Sequence, residues 1–234
     1  MARILLVRHA QSEWNALGRW QGWADPPLSP LGRHQAEQAG RHLSAHRYAT
    51  VTPRAGGESV WAHRDDPSAD GEDVPAPVHV VSSDLLRASM TAGIVTAMAL
   101  PGVLPETDPD WREYRVGAWS GLTRPEIEDR WPGELDRWDR GELAAPPEGE
   151  HRNHFESRLV RALDRVATHA GDAGTSLVVT HGGAIRSLSR RFRAPVDHVG
   201  NLAGMLVEGS AGRFRQVGPL DLLNGREGAP AIPD

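Results

Sequence analysis

The chain has 234 residues and a formal net charge of -5, with 39% of its residues hydrophobic and 24% charged. That balance suits one sizeable soluble domain, argues against disorder of the whole, and offers no basic field to draw in a nucleic-acid backbone. The absence of cysteine excludes disulfides, thiolate metal sites and a cysteine nucleophile.

The opening apolar run from Met1 to Val7 meets Arg8 at once, so it reads as neither signal peptide nor membrane span, and a cytoplasmic enzyme is the default expectation. Ile4–Val7 is short, apolar and β-branched at both ends, which predicts a buried strand ending on Arg8-His9. Asp25-Pro26-Pro27 punctuates the chain, and Ser29 before Pro30 predicts a capped helix with Ala36, Ala39 and Leu43 on one face. Residues 49–77 are rich in Pro, Gly, Ser and Asp without apolar period and read as an inserted surface loop, a solvated spacer rather than a binding element. Val78–Val81 predicts a second strand. Ser83 is the expected cap of a helix carrying Leu85, Leu86, Ala88 and Ala92, with Arg87 in its first turn.

Thr123 and Glu126 have capping-box spacing, so a helix is expected towards Trp131, stopped by Pro132-Gly133. Leu159, Leu163 and Val166 mark another helical face. Leu177–Val179 predicts a third strand ending on Thr180-His181-Gly182-Gly183, and Ile185 and Leu188 start the helix after it. The segment from Leu223 to Asp234 reads as a frayed tail. No repeat is visible, and 1–234 is taken as a single domain. The strand–helix alternation predicts an α/β fold: a largely parallel central sheet with helices on both faces, a three-layer α/β/α sandwich. Ligands of such sheets sit beyond the carboxyl ends of the strands. His9, Arg87 and His181 each follow a predicted strand and should meet on that edge.

Two imidazoles with Arg8 and Arg87 make an electropositive cup suited to an anion. Guanidiniums grip phosphate oxygens, and amides near Gly182-Gly183 would add donors. A metal is disfavoured, because the arginines repel cations and the histidines lack a carboxylate at ligand spacing. A neutral imidazole can attack phosphorus, and His9, at the end of the central strand, is the better nucleophile of the two. An alkoxide leaving group also needs a proton from a nearby carboxyl, for which Glu113 and Glu13 are the candidates.

These residues bring the histidine phosphatase, or phosphoglycerate-mutase-like, superfamily into view. Arg8-His9-Ala10-Gln11-Ser12-Glu13-Trp14-Asn15 resembles its opening motif, and Gln21-Gly22-Trp23-Ala24-Asp25 with Leu28-Ser29 resembles the next block. Ser82–Ala88 resembles the block with a further phosphate-binding arginine, Glu113–Leu122 the segment with the proton donor, and Val178–Arg186 the second-histidine motif. The resemblance implies that His9 is phosphorylated, that Arg8, Arg87 and His181 hold the phosphoryl group, and that Glu113 rather than Glu13 moves the proton. It also implies substrate contacts from Asn15, Gln21, Gly22 and Gly182. Ala10 stands where the family has glycine, which matters only if the backbone there is glycine-specific or the phosphate passes close to its α-carbon.

The family holds phosphatases, mutases and non-catalytic binders. The stretch Glu126–Glu150 is acidic on balance, with Arg130, Arg137 and Arg140 dispersed, where the mutases carry a basic segment. Pro146-Pro147-Glu148-Gly149-Glu150 resembles a turn found in the phosphatases. The expected activity is therefore metal-independent hydrolysis of a small phosphorylated metabolite with no cofactor. Cofactor-dependent phosphoglycerate mutase is the alternative, and a phospho-ligand binder the minor one. No nucleic-acid or membrane partner is expected, and the resemblance admits a homodimer. Of the eight tryptophans, Trp14, Trp20, Trp23, Trp111 and Trp119 fall near the expected site, with packing as their expected role.

Overall fold

Ile4, Leu5, Leu6 and Val7 are all fully buried, as expected of a strand covered on both faces. In the computed structural model, which describes residues 1–45, 48–49, 73–171 and 174–223, they lie within β1 (Ala2–Arg8). The one-turn helix α1 (Glu13–Ala16) and the long α2 (Pro30–Ala45) follow. A two-residue ladder of β2 (Tyr48–Ala49) with β3 (Asp73–Val74) precedes β4 (His79–Ser82) and α3 (Leu86–Ala99). Next come β5 (Glu106–Thr107), short 3-10 turns at Pro109–Trp111 and Gly117–Trp119, then α4 (Arg124–Arg130) and α5 (Glu134–Asp139). Finally α6 (Arg152–Ala170), β6 (Thr175–Thr180) and α7 (Gly182–Arg191) lead to β7 (Ala203–Ser210) and β8 (Arg213–Asp221).

The main sheet has the order β5-β4-β6-β1-β7-β8. β5, β4, β6 and β1 are parallel, and β7 and β8 add an antiparallel edge. Strand alternation sorts the core into two layers. Ile4, Leu6 and Val178 pack with Leu159, Leu163, Ile185 and Leu188 of α6 and α7, whereas Leu5, Val7, Leu177 and Val179 pack with Ala36, Ala39, Ala88, Ala92 and Val95 of α2 and α3. This is the expected α/β/α sandwich with a mostly parallel sheet.

Two predicted helix starts hold. Ser29 Oγ accepts from the Gly32 amide at 3.0 Å, and Thr123 and Glu126 form the reciprocal capping box of α4. The third does not. Ser83 Oγ accepts only the local Leu85 amide at 3.2 Å, while the first amide of α3, Leu86, is taken by Asp25 Oδ1 at 2.5 Å from a distant loop. Asp25 caps that helix across space, a contact that local spacing does not encode.

The hairpin of β7 and β8 is absent from the sequence reading. Ala211 and Gly212 turn it with φ of 48° and 76°, the mirror-image turn that suits a two-residue hairpin. Its first position lacks the usual Asn or Asp, and Gly204, Gly209 and Pro219 interrupt the apolar alternation. Most of the expected 49–77 loop lies outside the described residues; at its ends stands the β2/β3 ladder, with Val74 buried. Of the expected tail, residues 224–234 lie outside them too, and Leu223, expected frayed, is instead 2% exposed within the core. Among the described residues no helix is long and apolar enough to cross a membrane.

Candidate active site

The register of β1 on β6 pairs Val7 with Val179 and Arg8 with Thr180, so His9 and His181 leave neighbouring strands at one level. Their rings are 5.1 Å apart at 65°. Arg87, second residue of α3, arrives from β4 on the other side of β6. Arg8, His9, Arg87 and His181 are 2%, 1%, 1% and 0% exposed, so the carboxyl edge of the sheet gathers all four away from water.

His9 Nδ1 lies 2.6 Å from the Ala10 carbonyl oxygen. A carbonyl can only accept, so Nδ1 carries the hydrogen and Nε2 presents a lone pair. Nε2 accepts from Arg87 Nε at 3.2 Å. The other Arg87 nitrogens donate to the carbonyls of Ala24 and Gly22, each at 2.9 Å. Arg8 Nη1 donates to the Val199 carbonyl at 2.8 Å. His181 is different in kind: both ring nitrogens are buried with no hydrogen-bond partner. Its pKa lies well below 6.5, first through desolvation and then through Arg87, His9, Arg158 and Arg8, so the ring is neutral at pH 7. A buried polar pair left unmatched is costly until a ligand supplies the partner.

Glu113 is 5% exposed. Its Oε1 accepts from the Tyr114 amide at 2.7 Å and its Oε2 from the Gly183 amide at 2.9 Å. The Gly183 amide, expected to serve phosphate, is thus directed at the carboxylate instead. Behind Glu113, Arg158 donates to the carbonyls of Asp110, Arg112 and Glu113 and pairs with Glu150 at 2.9 Å. This gives the Pro146–Glu150 turn its work: it delivers the carboxylate that holds Arg158.

A cavity of about 850 Å³ opens over the site, lined by His9, Gln21, Gly22, Arg87 and Glu113 together with Trp20, Tyr114, Trp138, Phe155 and the Gly183–Arg190 side of α7. Arg8, His181, Asn15 and Gly182 are not among its lining residues. Asn15 Oδ1 accepts from Ser12 N and Oγ in the capping box of α1. Gln21 lines the cavity, but its Oε1 accepts from Ser12 Oγ at 2.7 Å. Gly182 is buried at the start of α7, and Glu13 is exposed on α1. Trp20, Trp111 and Trp119 are buried packing residues, while Trp23 is 40% exposed and donates to the Glu113 carbonyl at 2.8 Å. Among the described residues there is no group of three His, Asp or Glu placed to hold a metal.

Ala10 is fully buried and is not among the residues with positive φ, so its backbone asks for no glycine. Its amide donates to Thr91 Oγ1 at 3.1 Å. Three positioning residues escaped the sequence reading: Thr91, Arg158, and Asn201, whose Nδ2 donates to the His9 carbonyl at 2.9 Å. Beside Asn201, Leu202 takes a strained φ of 59° so that its amide meets the Arg8 carbonyl at 3.0 Å.

The profile of the histidine phosphatase superfamily (branch 1) matches residues 4–52 and 72–208. A glucosyl-3-phosphoglycerate phosphatase of Mycolicibacterium vanbaalenii is 32% identical over 213 residues, covering 87% of this chain and 80% of its own length. A 2,3-bisphosphoglycerate-dependent phosphoglycerate mutase of Bartonella bacilliformis is 30% identical over 188 residues, 79% of this chain and 78% of that one. A mycobacterial glucosyl-3-phosphoglycerate phosphatase solved with VO3 superposes with a TM-score of 0.70 at 27% identity, covering 92% of this chain and 96% of its own. Strand order, paired histidines and matched sequence agree: this chain belongs to the histidine phosphatase superfamily.

Proposed function

We propose that the chain is a phosphomonoesterase that hydrolyses a small phosphorylated metabolite through a phosphohistidine on His9, without a metal. The observation that carries this reading is the 2.6 Å contact between His9 Nδ1 and the Ala10 carbonyl, which supports a tautomer whose Nε2 lone pair serves as the nucleophile. The Nε2 lone pair attacks phosphorus while the ester P–O bond breaks, and the leaving oxygen takes a proton from the Glu113 carboxyl. The phosphoimidazole keeps its Nδ1 hydrogen on the Ala10 carbonyl, so positive charge stays on the ring and favours later P–N cleavage. Glu113, now a carboxylate, takes a proton from water as that water attacks phosphorus, and the P–N bond breaks to return neutral His9 and free phosphate. Arg8 and Arg87 offset charge on the phosphoryl oxygens, and His181 donates a hydrogen bond from a site otherwise without a partner.

The phosphatase named among the relatives supports hydrolysis, and the mutase named beside it keeps isomerisation as the second reading. Against a mutase stands the region after Glu113, whose Arg124 and Arg140 are paired with Asp139 and Glu142. The test is phosphate release from a panel of phosphomonoesters in chelator, comparing wild type with His9→Ala. Release that vanishes in the variant supports the reading. Isomerisation of 3-phosphoglycerate that depends on added 2,3-bisphosphoglycerate, without net release, replaces it with the mutase.

A further inference from the structure

The side of α7 that carries Gly183 continues through Arg186, Ser187 and Arg190, at helical spacings of three, four and seven, and all four residues line the cavity. Gly183 donates to Glu113, so this face begins at the acid. At the rise of an α-helix, Arg186 and Arg190 stand about 4.5 and about 10 Å further along the axis.

The other guanidiniums around the cavity are committed. Arg124 pairs with Asp139 at 2.6 Å and Arg191 with Glu156 at 2.7 Å, while Arg152 donates to the carbonyls of Leu143 and Trp138. Arg186 and Arg190 form no ion pair with any described residue, and neither does Asp197, which shares the rim. Partial desolvation, then Arg186 and Arg152, lower the Arg190 pKa, with only Glu156 opposing. Two more cavity-lining residues hold polar atoms without partners: Trp20 Nε1 and the Tyr114 hydroxyl, on side chains 3% and 7% exposed. Charge without a counter-ion beside buried donors without acceptors describes a place for an oxygen-rich anion.

Building on the phosphatase reading above, we propose that Arg186 and Arg190 bind a second anionic group, a carboxylate or a phosphate, on the leaving group of the substrate. Trp20 and Tyr114 donate to oxygens of the leaving group between the two anions. The substrate class is therefore a phosphomonoester whose leaving group carries a second negative charge.

The test measures kcat/KM on matched pairs for wild type and the Arg186→Gln/Arg190→Gln double variant. For the carboxylate the pair is 3-phosphoglycerate and glycerol 3-phosphate; for the phosphate it is fructose 1,6-bisphosphate and fructose 1-phosphate. In at least one pair the doubly anionic member is preferred by about tenfold or more, and that preference collapses in the variant mainly through KM, as expected when charge-assisted hydrogen bonds are lost. No preference in either pair, or a preference that survives both substitutions, overturns the proposal and leaves the phosphatase reading standing. If no compound releases phosphate, p-nitrophenyl phosphate included, the phosphatase reading falls and this proposal with it.

Discussion

Gly183→Ala displaces Glu113, the proton donor of the proposed reaction, without substituting it. An added Cβ would lie 2.2 Å from Glu113 Oε1 and 2.9 Å from Cδ, where ordinary contact begins near 3.4 Å. The carboxyl group must retreat by about 1.2 Å, leaving the amides of Tyr114 and residue 183 that now place it. A misplacement of that size in a reacting group costs on the order of 100-fold in rate, about 2.7 kcal/mol in the barrier. The same substitution adds about 1 kcal/mol of helix propensity to α7, so loss of activity would not come from a weaker helix. The assay compares kcat/KM, which reports the phosphorylation step and not the later hydrolysis of the phosphohistidine, on an alkyl phosphate, whose leaving group needs a proton, and on p-nitrophenyl phosphate, whose leaving group needs little. The alkyl ester should lose about 100-fold and the nitrophenyl ester far less. Equal losses on both would remove Glu113 from the role of acid, and no loss on either would contradict the geometry at Gly183.

Three other outcomes follow from the same contacts. Arg158→Met strands the Glu150 carboxylate, 11% exposed, and should lower unfolding free energy in urea by about 3–5 kcal/mol, with kcat falling as the Glu113 backbone loses its brace; a change below about 1 kcal/mol would mean the pair is not buried in solution. His181 has a folded pKa well below 6.5, so the unfolded chain binds more protons as pH falls. Its contribution is full above the unfolded value and shrinks as pH drops from about 6.5 towards the folded value; urea titrations from pH 7.5 to 5 should show stability falling, and His181→Asn should flatten that slope. Ala10→Gly should keep turnover but lose about 1–2 kcal/mol of stability, since it removes a buried methyl from an ordinary backbone conformation. A gain in stability there would point to hidden strain at Ala10.

The sheet edge was legible because its signals are local. Ile4–Val7 and Leu177–Val179 are apolar runs that stop on Arg8-His9 and Thr180-His181, and parallel pairing then sets the two histidines side by side. Arg87 was legible through the strand and helix around it. What supports those groups was not, because it comes from far along the chain: Asn201 reaches the His9 carbonyl across 192 positions, and Asp25 caps α3 across 61. Arg158 hides inside a helix whose pattern announces only its apolar face of Leu159, Leu163 and Val166. Gln21 and Asn15 are expected at substrate, yet the side-chain oxygen of each accepts from Ser12, a competition between neighbours that spacing alone does not rank.

The most direct test of the account is to trap the phosphoenzyme in Glu113→Gln with p-nitrophenyl phosphate. The leaving group departs without an acid, but the water that should free the phosphate has lost its base. Alkaline quench and peptide mass spectrometry should then find close to one phosphoryl group per chain, on Nε2 of His9, and none in the same protein carrying His9→Ala. Phosphate on another residue, or steady turnover with His9 never labelled, would contradict nucleophilic catalysis by this histidine.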